Sequence, residues 1–191
     1  MVFAIRLTVV GPLLILIFWN SCSGSARAAD DLKLYVAGLK AGETIPQRFR
    51  HQRQPCSGED LSPEISWGNL PKQARSLAFV VWDEDAPKPG GFYHWALINI
   101  PRSVKALPEG AGNVVMGRTP HGAVQLINDW GEQGYGGPCP PGGRQHHYHF
   151  TLYALKADQL PIDQRTKAAD AIGQIRNALL SSSELVLVAG S

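Results

Sequence analysis

Apolar residues gather into short runs broken by glycine- and proline-rich stretches, not into long helical stripes. Ser76–Asp83 (SLAFVVWD) and His94–Pro101 (HWALINIP) are nearly continuous in apolar, β-branched and aromatic residues, the pattern of strands buried on both faces. Tyr148–Leu155 (YHFTLYAL) has the same character, Leu32–Ala37 predicts a first strand and Glu184–Ala189 a closing one. Turn-rich segments lie between them at Ser57–Pro63, Ala86–Gly91, Leu107–Asn113 and Asp129–Arg144. One segment has helical periodicity: Gln164–Ser181 spaces Ala168, Ile172, Ile175 and Leu179 on one side, with Asp163 as a candidate N-cap. The pattern predicts a mostly β domain with one or two short peripheral helices.

Composition agrees. Twenty Gly and 14 Pro among 191 residues are too many for a helical bundle, and 44% hydrophobic with 18% charged residues is globular. The N-terminus stands apart. Arg6 is followed by 13 apolar residues from Leu7 to Trp19, then by small and polar residues ending in Ala26-Arg27-Ala28. That order is a secretory signal peptide over residues 1–28, with an apolar stretch too short to span a bilayer. Residues 29–191 are then a single domain. Cys22 offers a lipoprotein alternative, which Trp19-Asn20-Ser21 before it disfavours.

Removing the leader takes away Arg6 and Arg27 and no acid, so the formal net charge falls from +2 to zero. A neutral domain has no electrostatic footprint for nucleic acid, and no stable membrane insertion is expected once the leader is gone. Two cysteines remain, Cys56 and Cys139, an even pair for an oxidising compartment. A bridge between them is the favoured reading and two separate thiols the alternative.

Polar residues concentrate at the ends of the three best strands, where a rigid sheet hands over to loops. Alternation puts Asp83 and Asp85 on the face of Leu77, Phe79 and Val81 and turns Glu84 away. The bland reading of Asp83–Pro87 is a turn; the functional one is a pocket rim. His94 is expected on the face of Ala96, Ile98 and Ile100. In the third cluster, Gly136-Gly137-Pro138-Cys139-Pro140-Pro141-Gly142 has glycines that allow close backbone approach to a ligand and a nest of N–H groups for an anion. On the strand that follows, His146 and Tyr148 point inward with Phe150 and Leu152, and His147 and His149 toward solvent.

Several stretches, in this order, resemble the phosphatidylethanolamine-binding protein family in its bacterial Raf-kinase-inhibitor-like (YbhB/YbcL-type) branch. They are Cys56-Ser57-Gly58, Ser62-Pro63-Glu64-Ile65-Ser66-Trp67, Asp83–Pro87, His94–Pro101, Asn128-Asp129-Trp130-Gly131, Tyr135–Pro141 and His146-x-Tyr148. The resemblance runs from about Leu32 to the C-terminus. It implies a β-sandwich of antiparallel strands with a small cavity for phosphate- or carboxylate-like anions, lined by Asp83, Asp85, His94, Pro138, His146 and Tyr148, with the Gly137 backbone nearby. Glu84 departs from it, because the family usually has proline between the two aspartates. The chain ends soon after its last expected strand, so the pocket-closing C-terminal helix of eukaryotic relatives is not expected.

The leading functional class is therefore an exported binding protein for a small anionic ligand, with no cofactor and no metal. The alternative is an envelope enzyme, or a protease- or kinase-type inhibitor, using the same Asp/His pocket. Neither G-x-S-x-G nor H-E-x-x-H is present, and the His146–His149 run divides between two strand faces.

Overall fold

The computed structural model describes residues 31–190 apart from Gly143, so the expected leader and Cys22 lie outside the described residues. A small sheet pairs β1 (Lys33–Val36), β2 (Ile65–Gly68) and β5 (Ala106–Leu107) in the order β1-β2-β5. The large sheet uses β3 (Ser76–Asp83), β4 (Phe92–Pro101), β6 (Val124–Gln125), β7 (His146–Leu155) and β8 (Leu179–Ala189), ordered β6-β4-β3-β7-β8. Every pairing between these strands is antiparallel. One α-helix among the described residues, α1 (Ala168–Asn177), covers the outer face of the large sheet. This is the mostly β sandwich expected. No described helix is long and apolar enough to cross a membrane.

Two apolar layers hold it together. Between the sheets, Leu77, Phe79 and Val81 of β3 meet Trp95 and Leu97 of β4 and Phe150 and Leu152 of β7, with Val36, Ile65 and Leu107 from the small sheet. Each such side chain contributes about 1.5–3 kcal/mol when fully buried. On the other face Ala78, Val80, Ala96 and Ile98 pack under Ala168, Ala171 and Ile175 of α1. The continuous apolar runs of β3 and β4 are thus explained: both of their faces are covered.

β4 does not alternate regularly. Val81 pairs with Trp95 but Trp82 with Tyr93, so His94 is one residue too many for its partner strand. A second irregularity separates the Leu77–Ile100 and Phe79–Leu97 pairs, where Asn99 has φ 55°. The Asn99 side chain is held in a two-way amide exchange with the backbone of Leu160, at 2.7 and 3.2 Å. These bulges correct the expected face of His94. Ala96 and Ile98 look toward α1, whereas His94 turns to the side of Asp83 and Tyr148.

The helix also differs from its expected bounds. Asp163 closes a turn by accepting from the Arg165 backbone N–H at 2.8 Å, and α1 starts after Lys167 with no side-chain cap. Backbone bonds from Ile127 N–H to Thr166 and from Ala168 N–H to Ile127 draw residues 166–168 along a neighbouring segment. At the other end Leu179 pairs with Leu155 and Ser181 with Ala154, so strand pairing takes over residues that fit the helical period. The buried helix face is Ala168, Ala171 and Ile175; Leu179 opens β8 instead and is exposed.

Cys56 and Cys139 are joined across a sequence separation of 83. Closing a loop of that length stabilises by about 4 kcal/mol on the chain-entropy estimate. The Cys56→Ser/Cys139→Ser double variant is expected to melt roughly 10 °C lower by circular dichroism.

Candidate functional site

The C-terminal end of β3 and the N-terminal ends of β4 and β7 meet at one edge of the large sheet. Asp83 pairs across to Phe92 on one side and to Tyr148 on the other. β7 keeps strict alternation here, so His146 and Tyr148 point inward beside Asp83 and both are buried. His146 Nδ1 lies 2.8 Å from Asp83 Oδ2 and donates to it, since a carboxylate only accepts. Asp83 Oδ1 takes the backbone N–H of Asp85 at 3.0 Å. A carboxylate only 3% exposed is thereby supplied with two donors.

His94 is anchored differently. Its Nδ1 is 2.7 Å from the carbonyl oxygen of Gly136, which can only accept, so Nδ1 carries the proton and Nε2 is the nitrogen available to a ligand. Burial pushes the His94 pKa down to about 4, with the Gly136 carbonyl and the Asp83 charge opposing that shift. Its ring meets Phe92 at 4.9 Å and Tyr148 at 5.3 Å between centroids. The Tyr148 hydroxyl is buried close to the Asp83 carboxylate but outside good hydrogen-bonding geometry, and its pKa is raised by burial first and by the Asp83 charge second.

These groups line a cavity of about 280 Å³ whose other walls are chiefly apolar: Ala86, Pro87, Phe92, Trp130, Pro140 and Pro141. Lys88 is also part of the lining, with Nζ 2.6 Å from Asp129. The arrangement combines two imidazoles, one carboxylate and one unmatched hydroxyl in a largely apolar hollow.

Asp83, His94, His146 and Tyr148, four of the residues the family resemblance implies, come together at the cavity. Asp85, Gly137 and Pro138 stand outside the cavity lining. β3 ends at Asp83, so alternation no longer governs Asp85, whose Oδ2 accepts instead from the ring and backbone N–H of His147 at 2.7 and 2.8 Å. Those bonds hold its carboxyl below the usual range. The expected nest of free N–H groups is not formed at the two glycines: Gly136 N–H donates to His94 O at 2.9 Å and Gly137 N–H to Asp60 Oδ1 at 2.7 Å. Gly137 must lack a side chain for another reason. A Cβ there would lie 2.3 Å from the Arg50 backbone carbon, so the close approach is to the protein's own chain.

Sequence reasoning missed the pair behind this wall. His51 Nδ1 sits 2.9 Å from Asp60 Oδ2, both groups largely buried, and the His51 ring meets Trp130 edge-on at 4.2 Å. Asp60 thus ties His51 to Gly137, while His51 N–H donates to Pro138 O at 3.1 Å. Neither residue sits in an apolar run, so only their separation of nine positions was visible, and spacing in a turn-rich segment carries no orientation. Trp130, Phe92 and Lys88 were likewise unmarked as lining residues.

One of the two outward histidines is less solvated than alternation implies. His147 is exposed, but His149 packs against Trp82 at 5.2 Å and lies 3.2 Å from both Glu84 and Glu184. One ligating atom from each of Glu84, Asp85 and His147 falls within 4.8 Å of the others.

Over 141 residues the chain is 39% identical to the UPF0098 protein YbcL of Escherichia coli, covering 73% of this chain and 76% of YbcL. It is 32% identical to YbhB of the same organism over 138 residues, covering 72% and 87%. The crystal structure of E. coli YbcL, described as a new member of the mammalian PEBP family, superposes with a TM-score of 0.81 at 33% identity, over 84% of this chain and 99% of that one. The family model for phosphatidylethanolamine-binding proteins matches residues 37–189, most of the described fold, and the chain belongs to that family.

Proposed function

We propose that the protein is an exported binding protein, not an enzyme, whose cavity takes a small anion of the phosphoester or carboxylate type through His94, His146 and Tyr148. The observation that carries this reading is that both imidazoles are tied back through Nδ1, one to Asp83 and one to the Gly136 carbonyl, beside a buried hydroxyl with no partner. Each Nε2 is then pre-oriented for a ligand, and so little rotameric freedom is lost on binding. The apolar walls suit a short organic substituent on the anion and strengthen its hydrogen bonds by excluding water. This reading is supported by Cys139: among the described residues it is the one thiol position on the cavity wall, and it is consumed in the disulfide.

The low pKa of His94 gives the binding a pH signature. In the empty cavity the ring is neutral above about pH 4. A bound anion favours the imidazolium and raises that pKa, so binding takes up a proton and affinity increases as pH falls. Dimethyl phosphate keeps one charge throughout, and titration calorimetry from pH 8 to pH 5 is expected to show progressively tighter binding. A flat profile would reject the assignment of His94. His94→Asn is expected to weaken binding roughly 10- to 100-fold at pH 5.5, the worth of one charge-assisted hydrogen bond.

The wall behind the cavity supports the same site. Asp60→Ala removes the acceptor of both His51 and the Gly137 amide, and leaving buried donors unpaired costs about 1–3 kcal/mol each. Chemical denaturation should show that loss, and dimethyl phosphate affinity should fall with it because Gly136 positions His94.

A further inference from the structure

We infer that the free edge of β8 is an interaction surface for a second copy of this chain, the two β8 strands pairing antiparallel about a two-fold axis through Ser183. β8 is 11 residues long and ends the large sheet, with β7 as its strand neighbour. The other outer strands are short: β6 and β5 have two residues and β1 has four. A long edge strand is a template for further pairing unless lysine, proline or a covering segment blocks it. β8 contains no lysine, arginine or proline. A covering segment guards only its second half, where Gly42 N–H donates to Val186 O at 2.9 Å, Ile45 N–H to Val188 O at 2.8 Å and Val188 N–H to Glu43 O at 3.0 Å.

Those bonds fix which way the first half points. Val186 and Val188 direct backbone groups away from β7, and alternation gives the same direction to Ser182 and Glu184. Among the described residues, the N–H and C=O of Ser182 and Glu184 meet no partner on that side. One symmetric register matches all of them: Ser182 faces the partner's Glu184, and Glu184 faces the partner's Ser182. Each such pair exchanges two hydrogen bonds, and Ser183 faces itself across the axis. The next pair outward would join Leu180 to the partner's Val186. Leu180 is the extra residue of the bulge between β7 and β8, and the Val186 oxygen is already taken by Gly42, so the ladder closes at that same step from both strands. Leu180, exposed in the single chain, is thereby brought beside an apolar side chain. Nothing projecting stands between the two backbones. Ser181, Ser182 and Ser183 are small, and the Glu184 carboxylate leans back over β7, accepting from Thr151 Oγ1 at 3.0 Å and lying 3.2 Å from His149 Nδ1. β8 contributes no residue to the cavity lining, so association leaves both cavities open whatever they bind.

Sedimentation velocity of untagged protein from about 5 to about 500 µM tests this, since mass action moves a self-associating chain from monomer toward dimer over such a range. Growth beyond the dimer is not expected, because a two-fold contact closes on itself. Under oxidising conditions Ser183→Cys should form a covalent dimer, its two Cα atoms lying about 4.5 Å apart in a pair of that type. Ser181→Cys, with more than about 13 Å between its two copies, should not. Ser183→Lys and Ser183→Glu each place like charges opposite one another and should lose the dimer at concentrations where the wild type forms it, while their equal mixture should regain it. A monomer throughout the range overturns the proposal, and so does cross-linking at position 181 as efficient as at 183. Association unchanged in both charge variants, or no recovery in their mixture, overturns it too. Should a charge variant fail to fold by circular dichroism, the two cysteine variants decide the matter, cysteine being close to serine in size.

Discussion

A carboxylate buried at the end of a central strand governs the architecture around it. Asp83 is almost wholly removed from water, and a charge in that position persists only where donors meet it. His146 supplies one, and the chain itself supplies another by turning back so that the Asp85 N–H reaches Oδ1. That turn ends β3, sends Glu84 and Asp85 to the outside, and opens the edge where β4 and β7 begin. Replacing either partner alone leaves an uncompensated charge, so the register of β3 against β7 and the orientation of the His146 ring are set by one requirement.

The same logic is repeated, in weaker form, on the far side of the cavity. Asp60 receives His51 and the amide of Gly137, and the His51 amide bonds Pro138. The disulfide at Cys139 ties the next residue of that wall to Cys56. Two buried histidine–carboxylate pairs thus serve the site, one in the cavity wall and one behind it. Only the first borders the hollow.

Legibility in the sequence followed the regularity of the backbone. β3 was visible from end to end because its alternation is unbroken and both faces are apolar. On β7 the same regularity placed His146 and Tyr148 inward without any knowledge of the partner strand. His94 was placed on the wrong face because period-two counting assumes no extra residue, and the bulge that turns it inward leaves no compositional mark. Asp85 was misplaced for a related reason: the strand stops two residues earlier. The helix was overextended at both ends, where pairing with Ile127 and with β7 outcompeted a helical period that Leu179 happened to satisfy. The glycines were recognised as sites of close approach, but proximity to Arg50 and His51 is a tertiary fact that no local pattern encodes.

The His146–Asp83 bond spans 63 positions of the chain, and β7 in turn rests on β8, the last strand before the C-terminus. The cavity consequently has no local precursor. A hairpin of β3 and β4 carries Asp83 and His94 but neither His146 nor the wall at Gly136, and the wall needs the segment around His51 from the beginning of the domain. Contacts so distant in sequence form late, when most of the backbone entropy has already been lost. For a chain synthesised N-terminus first, the walls of the cavity are complete only once β7 and β8 are in place.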